Sequence, residues 1–275
     1  QNPACTAKEG WATAGTEGNF QCKPDAAVVG EYNGIFLEKW DASVAFTKDQ
    51  MPIYQNINDL PEGIYELRAA AFRKNLSGNG QTSEYSVALT LNDAFTVINS
   101  NVMNYYTVKG YVGSDGIATI GLKAMFDNQA NWNGIADVSL WYLGNETTAY
   151  EAMKDELADE LVSRSDTMTI TRKLREYMLN SAQASESATN IESIIDICNE
   201  MRTLLTNATE AVIAYQVASE ARNKSVFLLD NSKNGDRTTF ENEIDRYENE
   251  MELADNRTSL YDLSTKFRTI NQNYM

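Results

Sequence analysis

Apolar residues in the second half of the chain recur at helical spacing. Between 191 and 215 they alternate by three and four positions, which is the a/d pattern of heptads and predicts a helix packed against other helices. With a cap at Thr189 or Asn190 and a stop at 231–235, the helix is predicted over 190–229. The positions of this stripe are Ile191, Ile194, Cys198, Met201, Leu205, Ala208, Val212 and Tyr215.

Two further segments carry helical stripes. One starts at Phe240 and resumes on a shifted face from Leu260, so we predict one helix over 237–273 with a kink or stutter near 256. The other, 147–184, is interrupted by the polar residues 164–166. If its two parts are nearly collinear, the region is an elongated three-helix bundle; if they form a hairpin, it has four helices. The similar lengths of the three segments favour three.

The first half shows short alternating or wholly apolar segments separated by Gly, Pro and Asn turns. In the last of them, alternation places Ala136, Val138, Leu140 and Tyr142 on one face. About eight such strands predict an antiparallel β-sandwich, most simply a jelly roll. The predicted strands cover 34–40, 51–57, 63–73, 84–91, 94–98, 107–112, 117–123 and 136–143.

The composition changes sharply near residue 145. Fourteen of the 15 glycines, all four prolines and all four tryptophans precede it. A turn-rich half joined to a turn-poor half predicts two domains, a β-sandwich over 1–144 and a helical bundle over 145–275.

Charge and residue usage exclude several functions. The net charge of −16 divides into −6 for 1–144 and −10 for 145–275, without a basic stripe, so we expect no nucleic-acid or anionic-membrane partner. The absence of histidine excludes Ser-His-Asp and Cys-His catalysis. No apolar run is long enough to span a membrane. Paired carboxylates for glycoside hydrolysis remain available, but no spacing motif supports them, and we predict that the protein is not an enzyme.

The three cysteines give two alternatives. Cys5 and Cys22 flank a short glycine-containing segment and form either a disulfide or two free thiols. Cys198 falls on the helical stripe and is expected to be an inert core thiol. The chain begins at Gln1 rather than Met, which is consistent with the removal of a leader.

Several short motifs in the first half resemble one known family. They are Ile53-Tyr54-Gln55, the run from Asp59-Leu60-Pro61 to Gly63-Ile64-Tyr65, the pairs Gly10-Trp11 and Ile120-Gly121, and the closing Asn131-Trp132 to Leu140-Trp141-Tyr142-Leu143-Gly144. In this order they resemble the galactose-binding-domain-like β-sandwiches (carbohydrate-binding-module-like) of secreted Bacteroidetes proteins, over about residues 8–144. The helical region resembles the bundles often appended to such modules.

The resemblance implies an exported protein, periplasmic or at the cell surface, that binds a glycan or polysaccharide. Sugars need an exposed aromatic face and planar amides or carboxylates, which the loop around Trp132 offers. We predict that this loop is the binding site, with Asp127, Gln129, Asn131, Trp132 and Asn133, and with Arg73 at a nearby strand end. The alternative is a Trp132 packed beneath the loop.

Two further expectations follow from the same residues. By similarity to such sandwiches, Asp137 is expected to help bind a structural calcium ion together with loop carbonyls; the alternative is an exposed or turn-bonding aspartate on a strand. The leading functional prediction is a non-catalytic, lectin-like sandwich carried on a helical spacer. The second is a structural scaffold that binds no sugar, in which the helical bundle contacts another envelope protein. An exposed Trp132 favours the first and a buried Trp132 the second.

Overall fold

The computed structural model divides the chain into two compact units, Gln1–Met153 and Lys154–Met275. The division falls within the first helix, nine residues after the 144/145 boundary that the composition indicates. The structure describes residues 8–14, 18–23, 32, 34–41, 46–74, 86–126, 131–231 and 235–274.

The described part of the first unit holds nine strands in two antiparallel sheets. One sheet has five strands in the order β1-β2-β9-β4-β7, and the other has four in the order β3-β8-β5-β6. The predicted fold class, an antiparallel sandwich followed by helices, is confirmed. The strands are β1 (Phe20–Lys23), β2 (Phe36–Trp40), β3 (Ile53–Ile57), β4 (Gly63–Lys74), β5 (Val87–Leu91), β6 (Ala94–Val97), β7 (Asn104–Val112), β8 (Ala118–Ala124) and β9 (Trp132–Gly144).

Apolar side chains cover both faces of the five-stranded sheet at one end. The main core lies between the two sheets and includes the fully buried Leu67, Leu89 and Leu122. A second cluster lies on the opposite, outer face and consists of Phe36, Ala70, Phe72, Met103, Trp132 and Ala136. Because β4 contributes Leu67, Ala69 and Ala71 to the first and Ala70 and Phe72 to the second, it is apolar on both faces there.

The residues of the Leu-Pro-x-Gly-x-Tyr run hold the backbone at close approaches. The Tyr65 hydroxyl donates to the Pro61 carbonyl at 2.8 Å and fastens the turn that precedes β4. A Cβ on Gly63 would lie 2.5 Å from the Gly144 carbonyl oxygen, and one on Gly121 would lie 2.1 Å from that of Ile53. Only glycine fits such positions, so these motif residues serve the fold.

The helical region contains five α-helices among the described residues. They are α1 (Thr147–Thr167), α2 (Arg172–Ala184), α3 (Ile191–Asn231), α4 (Arg237–Glu252) and α5 (Arg257–Tyr274), with a 3-10 turn at Ser185–Ser187. None of these helices combines the length and hydropathy that a membrane-spanning segment needs.

Helices α1 and α2 form a hairpin. The Lys154 ammonium near the start of α1 donates to the Ala188 carbonyl just after α2, at 3.4 Å. Near the other end, Arg175 Nε donates to the Ser165 carbonyl at 2.8 Å. Contacts at both ends require that the chain reverses at 168–171, so the collinear interpretation of 147–184 is wrong and the hairpin alternative is correct.

The buried stripe of α3 follows the heptad prediction only over its first half. Ile194, Cys198, Met201, Leu205 and Ala208 are buried as expected. The stripe then moves away from Val212 and Tyr215 and continues through smaller side chains. Two consecutive steps of three residues, from Ala208 to Ala211 and from Ala211 to Ala214, form a stammer that rotates the buried face around the helix. The later buried positions are Ala211, Ala214, Ala218, Ala221 and Ser225.

The predicted single helix over 237–273 is broken. Helix α4 ends at Glu252 and α5 begins at Arg257, and the Asn256 side chain caps α5 by accepting from the Ser259 N–H at 2.9 Å. The Ala254 carbonyl inside the break accepts a hydrogen bond from the Thr171 hydroxyl at 2.6 Å. The stutter in the sequence pattern therefore marks a chain break that the start of α2 stabilises.

The cysteines divide as follows. Cys22 on β1 is disulfide-bonded, while Cys5 lies outside the described residues. Cys198 is free and buried in α3, and burial raises the pKa of its thiol. A buried thiol with a raised pKa is unreactive, in agreement with a role in the core.

Candidate functional site

The described residues of the predicted loop site are buried. Trp132 is 8% exposed, Asn131 6% and Asn133 0%, and Arg73 is 6% exposed. Asp127 and Gln129 lie outside the described residues. These four residues therefore do not form the predicted exposed groove at Trp132.

Specific contacts hold Trp132 in the apolar cluster of the outer face. Its indole Nε1–H donates to Glu38 Oε2 at 2.8 Å, and its ring meets Phe72 edge-on with centroids 5.5 Å apart. The Lys74 ammonium lies over the ring at 5.3 Å. A buried Trp132 favours the structural alternative over the sugar-binding one.

Arg73 and Asn133 are cross-strand neighbours that lie on the core side of the sheet. They pair in the β4–β9 register, one position away from Trp132 and Lys74. The Arg73 Nε–H donates to the Ile98 carbonyl at 2.8 Å in a buried setting. These residues therefore join strands rather than offer a sugar-binding surface.

A β-bulge at Asp137 decides which side chains of β9 reach the outer face. Ala70 of β4 pairs with Ala136, whereas Arg68 pairs with Ser139, so β9 has one extra residue between these pairs. Asp137 adopts a left-handed conformation with φ 49°, which aspartate tolerates better than most residues. The predicted alternation is thus wrong at this point: Ala136 lies on the outer face, while Val138 and Leu140 pack against the main core.

Beyond the bulge, the outer face of the five-stranded sheet presents a strip of polar and aromatic side chains. Cross-strand neighbours in an antiparallel sheet share a face. One row is Trp141–Glu66–Lys109 and the next is Ser139–Arg68–Thr107, followed by Tyr105 opposite Ala70. We call this set the sheet-face strip: Glu66, Arg68, Tyr105, Thr107, Lys109, Ser139 and Trp141.

Two aromatic rings of the strip are open to solvent. Trp141 is 60% exposed and Tyr105 is 50% exposed. Apolar side chains bound the strip at both ends: the Phe72–Trp132 pair at one, and Tyr111 with Tyr150 at the other, where the ring centroids are 5.8 Å apart. The strip is therefore an open polar surface between two aromatic clusters.

The Tyr105 side chain is held in place from two sides. Its hydroxyl donates to Asp137 Oδ2 at 2.5 Å, and the Arg68 guanidinium lies over its ring at 4.8 Å. The hydrogen bond to Asp137 is the main cause that raises the pKa of the Tyr105 phenol, followed by burial. Asp137 thus both makes the bulge and anchors an aromatic ring of the strip.

The expectation of calcium at Asp137 finds no ligand set in the described part of the chain. Among those residues, no group of three or more aspartate, glutamate, cysteine or histidine side chains is placed to hold a metal ion. Oδ2 of Asp137 accepts the Tyr105 hydroxyl instead. This contact joins two strands, so it differs also from the alternative of an exposed or turn-bonding carboxylate.

The sequence pattern does not mark any residue of the strip as a site. It predicts Trp141 only as part of the closing motif and Arg68 only as part of a strand. The polar alternation Glu66, Arg68 within an otherwise apolar β4 was a usable signal, because polar residues at every second position indicate a solvated face. The bulge that brings Trp141 to the same face leaves no such signal.

Comparisons with known proteins give distant structural likenesses. No protein family matches the sequence, and no curated protein matches it either. Among solved structures, the chain is similar to an arabinose-bound GH51 α-L-arabinofuranosidase (10% identity, 56% of this chain and 29% of that chain, TM-score 0.37). It is also similar to the CBM22-1 xylan-binding domain of Paenibacillus barcinonensis Xyn10C (7% identity, 50% and 88% covered, TM-score 0.34).

A third likeness covers more of the chain. It is to the CBM51-2 and INT domains of Clostridium perfringens ZmpB (9% identity, 72% of this chain and 43% of that chain, TM-score 0.27). The neighbours thus include carbohydrate-binding modules, and this chain spans less than a third of the arabinofuranosidase. At these TM-scores the likeness assigns neither fold nor ligand, and the sandwich architecture follows from the strand pairing itself.

Proposed function

We propose that the first unit is a non-catalytic carbohydrate-binding domain whose ligand lies across the sheet-face strip. The observation that carries the proposal is Trp141, a tryptophan 60% exposed on a regular strand. Its ring offers the apolar surface that packs against the C–H face of a pyranose. Glu66 in the same row and Ser139 in the next supply an acceptor and a hydroxyl for the sugar's hydroxyl groups.

The strip does not supply the carboxyl pair that glycoside hydrolysis uses. Glycosidases place two carboxyl groups about 5 Å or about 6.5–9.5 Å apart. The strip contains one carboxylate, Glu66, and the nearby Asp137 carboxylate accepts the Tyr105 hydroxyl. We therefore assign no catalytic residue.

We also propose that the protein is exported, to the periplasm or the cell surface. The disulfide at Cys22 supports this, because disulfides persist mainly in oxidising compartments. Fractionation of the source cells, with the protein detected by antibody, tests it; a protein confined to the cytosol would contradict it.

The test of the binding proposal is a broad glycan array probed with the full chain, in calcium and again in EDTA. We expect binding that Trp141→Ala abolishes while the melting temperature stays within about 2 °C, because an exposed ring contributes little to the core. Tyr142→Ala is the matched control: Tyr142 is the adjacent residue, 46% exposed, and its ring contacts Tyr65 instead of the strip.

Three results would decide against parts of this proposal. Equal loss in the Trp141 and Tyr142 variants would remove the binding site from the strip. Loss of binding in EDTA would restore the calcium expectation for Asp137. A folded protein that binds no glycan would contradict the proposal as a whole.

The second candidate function is a scaffold, and the burial of Trp132 favours it. In that case the helical unit is the surface that binds a partner, such as another envelope protein. Phe227 on α3 is 62% exposed and Leu253 after α4 is 54% exposed, and both are sites at which a partner protein would be detected by cross-linking. A negative glycan array together with a specific cross-link there would favour the scaffold.

A further inference from the structure

Arg68 presents a guanidinium whose hydrogen-bond donors are not used by the described part of the protein. It lies on the exposed face of β4, where its Cζ lies over the Tyr105 ring, 4.8 Å from the ring centroid. Among the described residues it forms no ion pair and donates no hydrogen bond. The other arginine of the first unit, Arg73, is buried and donates to a backbone carbonyl.

The position of this guanidinium is constrained. The Tyr105 ring beneath it is anchored by the 2.5 Å hydrogen bond to Asp137, at the bulge of β9. A cation–π contact places the guanidinium over the ring without using its N–H donors in a hydrogen bond. The donors of arginine form a planar fork, which binds a carboxylate through two parallel hydrogen bonds.

The strip carries one anion and two cations: Glu66 and Lys109 in the row of Trp141, and Arg68 in the next row. Trp141 lies opposite Glu66 and diagonal to Arg68, and diagonal neighbours on a sheet face are about 7–8 Å apart, within reach of long side chains. A sugar ring stacked on Trp141 therefore has an acceptor carboxylate at its side and a cation towards Tyr105. Lys109 lies beyond Glu66, two strands from Trp141, so Arg68 is the strip cation nearest to Trp141 by strand position. Glu66, directly beside Trp141, repels an acidic substituent and Arg68 attracts it, which favours an orientation with the acid towards Arg68.

We propose that the sheet-face strip selects uronic acid residues, with the sugar ring on Trp141 and its C5 carboxylate paired with Arg68. The carboxylate of a uronate is attached directly to the ring, so a ring held by Trp141 carries it to a defined place. This inference rests on the proposed function and adds to it the chemical class of the ligand.

The test compares matched acidic and neutral oligosaccharides on the full chain. The probes are tetrasaccharides of glucuronate, galacturonate and guluronate, each with its carboxyl-reduced neutral counterpart, titrated by calorimetry. We expect at least one uronate to bind about tenfold or more tightly than its reduced counterpart, as a charge-assisted pair requires. Arg68→Gln should remove that difference, and Arg68→Lys should retain only part of it, because an ammonium lacks the planar fork.

The matched control is Lys123→Gln, which removes the same charge from β8 of the other sheet. Lys123 is partly exposed, with 36% of its side chain accessible, and is paired with Asp49 at 3.0 Å, so the variant is expected to fold and to bind like the unaltered chain. If it weakens uronate binding as much as Arg68→Gln does, net charge rather than the Arg68 site sets the preference, and the inference is overturned.

Two further results would overturn the inference and leave the proposed function standing. One is equal affinity for a uronate and its reduced counterpart, with loss of both in Trp141→Ala. The other is binding to neutral glycans on the array with no uronate bound. If neither the array nor the uronates bind while the protein is folded, both the inference and the proposed function fail.

Discussion

Two tryptophans on one strand show how strongly position decides the role of a residue. Trp132 and Trp141 both belong to β9, nine residues apart, and are 8% and 60% exposed. An odd separation places residues on opposite faces of a regular strand. The extra residue at Asp137 brings both to the outer face, where one enters the Phe72 cluster and the other remains open.

We predict that Trp132→Phe lowers the free energy of unfolding by about 2 kcal/mol, because it removes a charge-assisted hydrogen bond from a buried carboxylate. Glu38 is 1% exposed and, among the described residues, would keep only the 2.8 Å hydrogen bond from Gln21. Urea unfolding followed by fluorescence measures the change. Trp141→Phe is the control and should shift the midpoint little; equal shifts in both variants would contradict the assignment.

For individual residues, the sequence predicts the site least well. The amide residues around Trp132 predict a sugar-binding loop, yet Trp132 is buried and its neighbour Asn133 is fully buried on the core side. Side-chain chemistry indicates which residues are suited to bind a sugar. Exposure depends on what the sheet places above them, which the local sequence does not contain.

At the level of elements, the helical region is held at the break between α4 and α5 by the start of α2. Thr171 caps α2 through its hydroxyl, which accepts from the Leu174 N–H at 3.2 Å and donates to the Ala254 carbonyl. Lys173 of α2 forms a 2.9 Å ion pair with Asp255 in the break. The start of α2 and the break between α4 and α5 therefore stabilise one another at this point.

This ion pair predicts a specific pH dependence of stability. The hydrogen bond from Lys173 lowers the pKa of Asp255 below its ordinary value, and the same contact raises the pKa of Lys173. A lowered acid pKa contributes stability above the unfolded pKa of about 3.9, and the contribution is lost as the pH falls through the folded pKa. Asp255→Asn should therefore be modestly less stable than the unaltered chain at pH 7, with the gap closing below about pH 4.

The matched control is Asp262→Asn on α5, an exposed carboxylate on the same helix pair. Urea midpoints at pH 3, 5 and 7 measure both variants. If the difference in urea midpoint between Asp255→Asn and the unaltered chain stays constant from pH 7 to pH 3, the charge of Asp255 has no role. If Asp262→Asn shows a difference of the same size, the effect is due to net charge and not to the Lys173–Asp255 pair.

For the whole molecule, we propose that the two units fold independently. The main apolar cluster of the first unit is composed of residues 20–135, with partly buried neighbours from 11 to 140. The second unit buries its own stripes in α2 to α5. Separate cores of this kind are typical of autonomous domains.

We predict that fragments 1–153 and 154–275, expressed separately, each unfold cooperatively in calorimetry. The first should require oxidising conditions for full stability, because reducing the Cys22 disulfide costs about 2–5 kcal/mol in small secreted domains. A fragment that is soluble but shows no cooperative transition would contradict independent folding.

The sequence by itself determined the fold class, the change from strands to helices near 145 and the first half of the α3 stripe. These follow from local periodicity and from the placement of Gly and Pro, which act through the backbone of their own segment. It also excluded histidine chemistry. Only the tertiary structure decided the hairpin of α1 and α2, the break at 253–256, and the faces of β9 on either side of Asp137. These features depend on contacts between residues far apart in the chain. The β4–β9 pairing also places the exposed Trp141 beside Arg68.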